Sequence, residues 1–217
     1  MSSGVTGGGS NGGGGATRVV LASHNAHKLE ELRRILAPLV PGIELLAYDG
    51  PEPVESGVTF EANALLKARA AAAHTGLPAI ADDSGIAVDV LGGSPGIFSA
   101  RWGGPARDDA ANVELLLWQL SDLADAHRAA SFVCAAALAL PGDGAVGAGD
   151  EVAVRGVWPG SILRAPAGDG GFGYDPVFLP EGEQRSAAQL SPAEKDASSH
   201  RRRAFTALAE EMRRLLP

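Results

Sequence analysis

The sequence predicts an α/β fold with a mixed sheet, on two observations. Between Arg18 and Val88, short apolar runs alternate with helical patterns, whereas after Ser131 two apolar runs follow one another with only a Gly-rich loop between them. The first pattern builds strands joined by helices and the second an antiparallel hairpin, so one sheet holds both. A length of 217 residues suits one large domain or two small lobes.

Composition narrows the function classes. A net charge of −8 and a pI near 5.1 argue against a nucleic-acid footprint, so an anionic ligand needs local cations or a bound metal. The apolar runs Val19–Ala22 and Val133–Leu140 are too short to cross a bilayer, and no signal-peptide core opens the chain. With a single cysteine, Cys134, an internal disulfide is excluded, and a soluble cytoplasmic protein is expected. Cys134 lies in the apolar run SFVCAAALAL and reads as a buried structural thiol rather than a nucleophile.

Met1 to about Thr17 is mostly Gly and Ser and reads as a flexible tail. The domain proper is expected from Arg18, where RVVLAS makes a buried strand and passes at once into HNAHKLEELRRILAPL. In that helix Leu29, Leu32, Leu36 and Leu39 share a face, and Pro38 and Pro41-Gly42 end it. A strand turning into a helix leaves free N–H groups and the positive end of the helix dipole at the turn. Ser23, Asn25 and Lys28 add a hydroxyl, an amide and an ammonium there, unless Ser23 or Asn25 merely caps the helix.

Ile43–Tyr48 makes a second strand, followed by the acidic loop GPEPVESG, whose Glu52 and Glu55 are either solvated or face the acids described next. TFEANALLKARAAAAHTG is an Ala-rich helix capped by Thr59 and closed by Gly76; its Glu61 and Lys67 are surface charges or neighbours of those acids. The helix leads into AIADDSGIAVDVLGGSPGIFSAR, with Asp82 and Asp83 at the end of an apolar run and Gly85 as a turn before Ile86-Ala87-Val88. Such carboxylates either bind a hard cation or raise one another's pKa to work as a general base; the alternative is a polar Asp-Asp-Ser-Gly turn. Adjacent strand residues point to opposite faces, so one acid alone is expected at a given site.

After Arg101 a helix presents Val113, Leu116, Leu117 and Leu120, with Trp118 in the core or an interface. SFVCAAALALPG and EVAVRGVWPGSIL then pair across a loop at Pro141–Asp150. GDGGFGYDPVF follows, Gly168–Phe178, where an exposed ring stacks on a flat ligand or the aromatics plug the core. SPAEKDASSHRRRAFTALAEEMRRLL closes the chain as a helix start and a long amphipathic helix, its Arg201-Arg202-Arg203 mostly on a solvated face.

Taken together, VVLASHNAHKLEEL, SGVTFEANALLKARAAA, PAIADDSGIAVDVLGGSPGIFSARWGG, GGFGYDPVF and LSPAEKDASSHRRRAF resemble the inosine triphosphate pyrophosphatase family, the RdgB/HAM1-like purine nucleoside triphosphate pyrophosphatases. The resemblance runs from Arg18 to near the C-terminus. It implies one domain over residues 18–217: an elongated mixed sheet flanked by helices, in two lobes with a central active-site cleft. It further implies a cytoplasmic homodimer that hydrolyses ITP, dITP and XTP to monophosphate and pyrophosphate with Mg²⁺.

By the same resemblance, Ser23, His24, Asn25, Ala26, His27 and Lys28 hold phosphates with support from Lys67, Asp83 is the general base and a metal ligand with Glu55, and Ser84 contacts substrate. Phe172, Gly173, Tyr174, Asp175, Lys195, His200 and Arg201 form the base-recognition wall. Glu55 or Asp82 would complete the metal shell. Two departures stand out: Ser23-His24-Asn25 replaces the family's Thr-Gly-Asn, and Glu61-Ala62 replaces a pair of acids before Asn63. The competing readings are a Maf-like pyrophosphatase of other modified nucleotides and a nucleotide-binding module without catalysis.

Overall fold

A computed structural model of the chain describes residues 16–24, 26–142 and 150–216. The tail expected over Met1–Thr17 lies outside them up to residue 15, and so does most of the loop expected at Pro141–Asp150. Six strands form one sheet: β1 (Thr17–Leu21), β2 (Ile43–Ala47), β3 (Ala79–Val88), β4 (Ala129–Ala139), β5 (Glu151–Ile162) and β6 (Phe178–Pro180), in the order β2-β1-β3-β4-β5-β6. β1 is parallel to both β2 and β3, and the remaining pairs are antiparallel, which is the mixed sheet expected.

Helix α1 (Ala26–Leu36) connects β1 to β2, and α2 (Phe60–Thr75) connects β2 to β3. The strand order therefore reverses at β1, and the middle of β3 lies open beyond the carboxyl end of β1, the kind of place where α/β sheets commonly bind ligands. α1 and α5 (His200–Leu215) cover one face, packing on Val19, Leu21, Ile80, Cys134 and Leu138. α2 covers the other through Val20, Ala81, Ala135 and Ala137. The alternation of side chains along each strand supplies both cores.

Alanine brings α2 close to the sheet. Ala64, Ala68, Ala71 and Ala72 pack on Ala79, Ala81, Ala135 and Ala137, small side chains on both surfaces. Thr59 caps the helix by accepting from the Ala62 N–H, and Gly76 ends it in the left-handed conformation.

β3 departs from expectation. It runs unbroken through Asp82-Asp83-Ser84-Gly85, so Gly85 is not a turn. Glycine is required there by close approach: a Cβ would lie 2.5 Å from the Gly96 carbonyl oxygen and from Ser99 Oγ. β1 stays with β3 only to Ile80, whose carbonyl accepts from the Ala22 N–H (2.8 Å). Further on, the Ile86 N–H donates to Ser99 Oγ (2.9 Å) and the Val88 N–H to the Ser94 carbonyl (3.0 Å), so a turn spanning residues 94–99 takes over that edge.

At the far end of the sheet, α3 (Asp109–Gln119), Phe132, Trp158, Tyr174 and Phe178 build a third core. Arg128 is buried there and donates to three carbonyls, Leu120 (2.6 Å), Ile162 (2.8 Å) and Leu163 (2.8 Å), fastening the end of α3 to the end of β5. Trp118 is 72% exposed, so it is no part of the core. The C-terminal segment is two helices: α4 (Pro192–Ser198) and α5 are separated at Ser199, which is extended and caps α5. Among the described residues no helix is long and apolar enough to cross a membrane.

Candidate active site

Asp82 and Asp83 diverge to opposite faces of β3 and enter different environments. Asp82 is buried on the α1/α5 face, where it meets Lys28 Nζ (2.9 Å), the Ser84 hydroxyl (2.8 Å) and Arg201 Nε (3.7 Å). Burial alone would raise its pKa; Lys28, Arg201 and Lys67 together overcome this and hold the carboxyl well below the usual range. It is a permanent anion that ties Lys28, from the start of α1, to Arg201, from the start of α5. Its oxygens are occupied by Lys28, Arg201 and Ser84.

Asp83 faces α2. Asn63 and Lys67, one turn apart on that helix, reach it at 3.1 Å and 3.6 Å, and Lys67 also binds Glu55 Oε1 at 2.6 Å. Glu55 thus faces Asp83 across Lys67. Asn63 in turn accepts from the Gly57 N–H (2.8 Å), tying the loop that carries Glu55 to α2. Burial raises the Asp83 pKa, Glu55 and Asp82 add to the rise, and Lys67 and Asn63 oppose it without cancelling it. For Glu55 the balance falls the other way: burial is outweighed by Lys67, Lys28 and Arg101, and its pKa is lowered. Two adjacent carboxylates of β3 are therefore tuned apart, the pKa of Asp82 lowered and that of Asp83 raised.

Beside Ser84 opens a cavity of about 120 Å³, lined by Phe132, Phe172, Gly173, Tyr174, Asp175, Lys195, His200 and Arg201 among others. Phe172 is 48% exposed, with the Lys195 ammonium 5.3 Å and the Arg201 guanidinium 5.1 Å from its ring centre. Asp175 is buried, accepts from the Phe172 N–H (2.9 Å) and pairs with Lys195. The two rings of the Gly-rich loop part, one exposed and one in the core. Phe172 is presented to the cavity rim, while Tyr174 is buried and donates to the Ser99 carbonyl (2.9 Å).

Arg201 is buried, not part of a solvated face, and Glu31 accepts from it at 3.0 Å. His200 is buried against Phe132, ring centres 4.8 Å apart and nearly parallel, and burial followed by Arg201 and Lys195 lowers its pKa well below the usual value. Among the described residues His200 Nδ1 and Arg201 Nε make no hydrogen bond. His200 and Arg201 both line the cavity.

Of the phosphate stretch, Asn25 lies outside the described residues, Ser23 follows β1 half-buried, and Ala26 and His27 open α1. His24 stacks on Tyr48 (5.8 Å, 6°) and meets Glu52 at 3.1 Å, so the residue standing where the family has glycine contacts the acidic loop. Sequence reasoning missed Asn63, Ser99 and Asp109 as site residues. Asn63 was within reach, four residues before Lys67 on a helix, whereas Ser99 and Asp109 carry no local signal.

The Ham1 family model matches residues 19–211. The dITP/XTP pyrophosphatase of Leifsonia xyli subsp. xyli is 55% identical over 198 residues, 91% of this chain and 96% of that protein. The crystal structure of the nucleoside-triphosphatase / dITP/XTP pyrophosphatase of Mycobacterium abscessus superposes with a TM-score of 0.71 at 52% identity, covering 88% of this chain and 98% of the other. A HAM1 protein of Coxiella burnetii gives a TM-score of 0.80 at 40% identity, with 91% and 99% covered. With the family model spanning most of its length and relatives above half identity along nearly the whole of both chains, this chain belongs to the Ham1 family.

Proposed function

We propose that this chain hydrolyses deaminated purine nucleoside triphosphates, of the dITP and XTP kind for which its relatives are named, to the monophosphate and pyrophosphate. The observation that carries the reading is the pairing on β3 of Asp83, its pKa raised by burial and set among Glu55, Lys67 and Asn63, with an adjoining cavity walled by Phe172, His200 and Arg201.

Asp83 is the general base: its raised pKa suits a carboxylate that orients water and takes its proton. Lys28 and Lys67 supply positive charge for the triphosphate, and Asp82 keeps Lys28 in place. Glu55 and Asp83 suit Mg²⁺, which takes one or two carboxylates and fills its shell with water and phosphate oxygens. Among the described residues no group of three acidic, His or Cys side chains gathers for a metal, and a pair meets this need. Bound there, Mg²⁺ would polarise phosphate oxygens and neutralise the leaving pyrophosphate.

In the cavity the base stacks on Phe172. Hypoxanthine and xanthine present a 6-oxo acceptor that an Arg201 N–H satisfies, whereas the adenine amino group sets donor against donor. A buried donor left unpaired costs about 1–3 kcal/mol. The same reading carries a cytoplasmic homodimer working as one domain of two lobes from Arg18 onward, with the cleft between them; light scattering tests the dimer.

The deciding experiment is pyrophosphate release from ITP, XTP, GTP and ATP with Mg²⁺ and with excess EDTA. Metal-dependent cleavage of ITP and XTP over ATP is expected. Cleavage of none of them would overturn the reading.

A further inference from the structure

Three consecutive residues of the Gly-rich loop are fastened to three different places. The Phe172 N–H donates to Asp175, the Gly173 N–H to Asp109 Oδ2 (3.0 Å) and the Tyr174 hydroxyl to the Ser99 carbonyl. Asp109 is the unexpected member: it lies 64 residues away at the first position of α3, exposed, and lines the same cavity. It does not cap the helix, because Asp108 accepts from the Ala111 N–H and fills that role. Gly173 is in the left-handed conformation (φ 59°), which only glycine adopts readily, and its N–H meets the carboxylate there.

Among the described residues Phe172 has no comparable anchor for its ring. It is half-exposed and held at its face by two cations, contacts that restrain distance more than orientation. A ring offered to a flat ligand stacks well only if the backbone on both sides is fixed, and Asp175 fixes only the preceding peptide.

We infer that Asp109 is a positioning residue for base recognition, its carboxylate holding the Gly173 peptide so that Phe172 stands ready to stack. The inference rests on the proposed nucleotide site. It requires an acceptor at this position rather than a charge. Truncation should therefore harm base binding, and an isosteric amide, which keeps an acceptor oxygen, should restore it.

The test is calorimetric titration with IMP, with kcat and KM for ITP and thermal midpoints measured alongside, for wild type, Asp109→Ala and Asp109→Asn. Asp109→Ala is expected to weaken IMP binding about fivefold and raise KM for ITP by a similar factor at little cost in kcat, as for one lost hydrogen bond. Asp109→Asn is expected to stay within about twofold of wild type. IMP binding by Asp109→Ala at wild-type strength, or equal weakening by both variants, would overturn the inference. A wild type that binds IMP but does not cleave ITP would end the catalytic reading and leave this comparison decisive. Failure of the wild type to bind IMP would end both.

Discussion

Replacing Asp82 with asparagine should unfold the protein more readily than the same change one residue later. Asp82 is 2% exposed and is a shared counter-ion for Lys28 and Arg201, with Lys67 contributing at longer range. The amide keeps the shape and the Ser84 hydrogen bond but removes the anion shared by Lys28 and Arg201, leaving Arg201 with Glu31. Removing one partner of a buried pair costs about 3–5 kcal/mol. For a domain of this size each kcal/mol moves Tm by about 2–4 °C, so a fall of roughly 6–20 °C is expected.

Asp83→Asn should behave oppositely. The fold favours the protonated Asp83, so ionisation above its unfolded pKa weakens the fold, and a neutral amide should leave Tm at pH 7 unchanged or higher while abolishing turnover. Acid supplies a sign check for Asp82, whose folded pKa is depressed: its contribution is present above the unfolded value near 4 and is lost as pH falls toward the folded one. The gap between wild type and Asp82→Asn should therefore narrow below about pH 4. Melting curves of the three proteins from pH 3 to pH 8, with ITP turnover at pH 7, test this. A loss under about 1 kcal/mol in Asp82→Asn, or a large loss in Asp83→Asn, would refute the assignment of one acid to structure and the other to chemistry.

Arg128→Met should orphan three carbonyls, two of them buried, and cost on the order of 3 kcal/mol, with Arg128→Lys recovering only part because one ammonium cannot span the fork; urea denaturation measures both. His200→Phe keeps the stack on Phe132 and removes a group buried neutral. Because the folded pKa of His200 is depressed, its contribution is present above about pH 6.5 and declines as pH falls, so the variant should show a flatter stability profile between pH 6.5 and 5. Gly85→Ala should force the turn at Gly96 and Ser99 away from β3 and cost about 1–3 kcal/mol, read as a lower Tm.

How far these features were legible depended on whether the cause was local. Apolar runs and helical spacing placed the strands and the two long helices, and the alternation of strand side chains predicted that Asp82 and Asp83 would part. Gly85 was misread because a glycine kept for close approach looks, in sequence, like one kept for a turn. The Arg triplet hid Arg201, since burial comes from the packing of α5 on α1 and not from neighbours along the chain. Arg128 serves three carbonyls drawn from two other segments, and no pattern around residue 128 announces them. Asp109 and Ser99 meet the Gly-rich loop across 64 and 75 residues of chain, beyond the reach of any local pattern.

The partial pairing of β3 along one edge has a consequence for solubility. An edge strand with free main-chain groups is a template onto which another chain can add. Here β1 covers that edge as far as Ile80 and the turn at residues 94–99 covers it at Ile86 and Val88, leaving Asp82 and Ser84 between them. A gap of that length is too short for an invading strand to find register and sits beside charged side chains that would resist it. The same gap leaves the main chain at Asp82 and Ser84 open beside the cavity, so an opening in the edge is kept without offering a template for polymerisation.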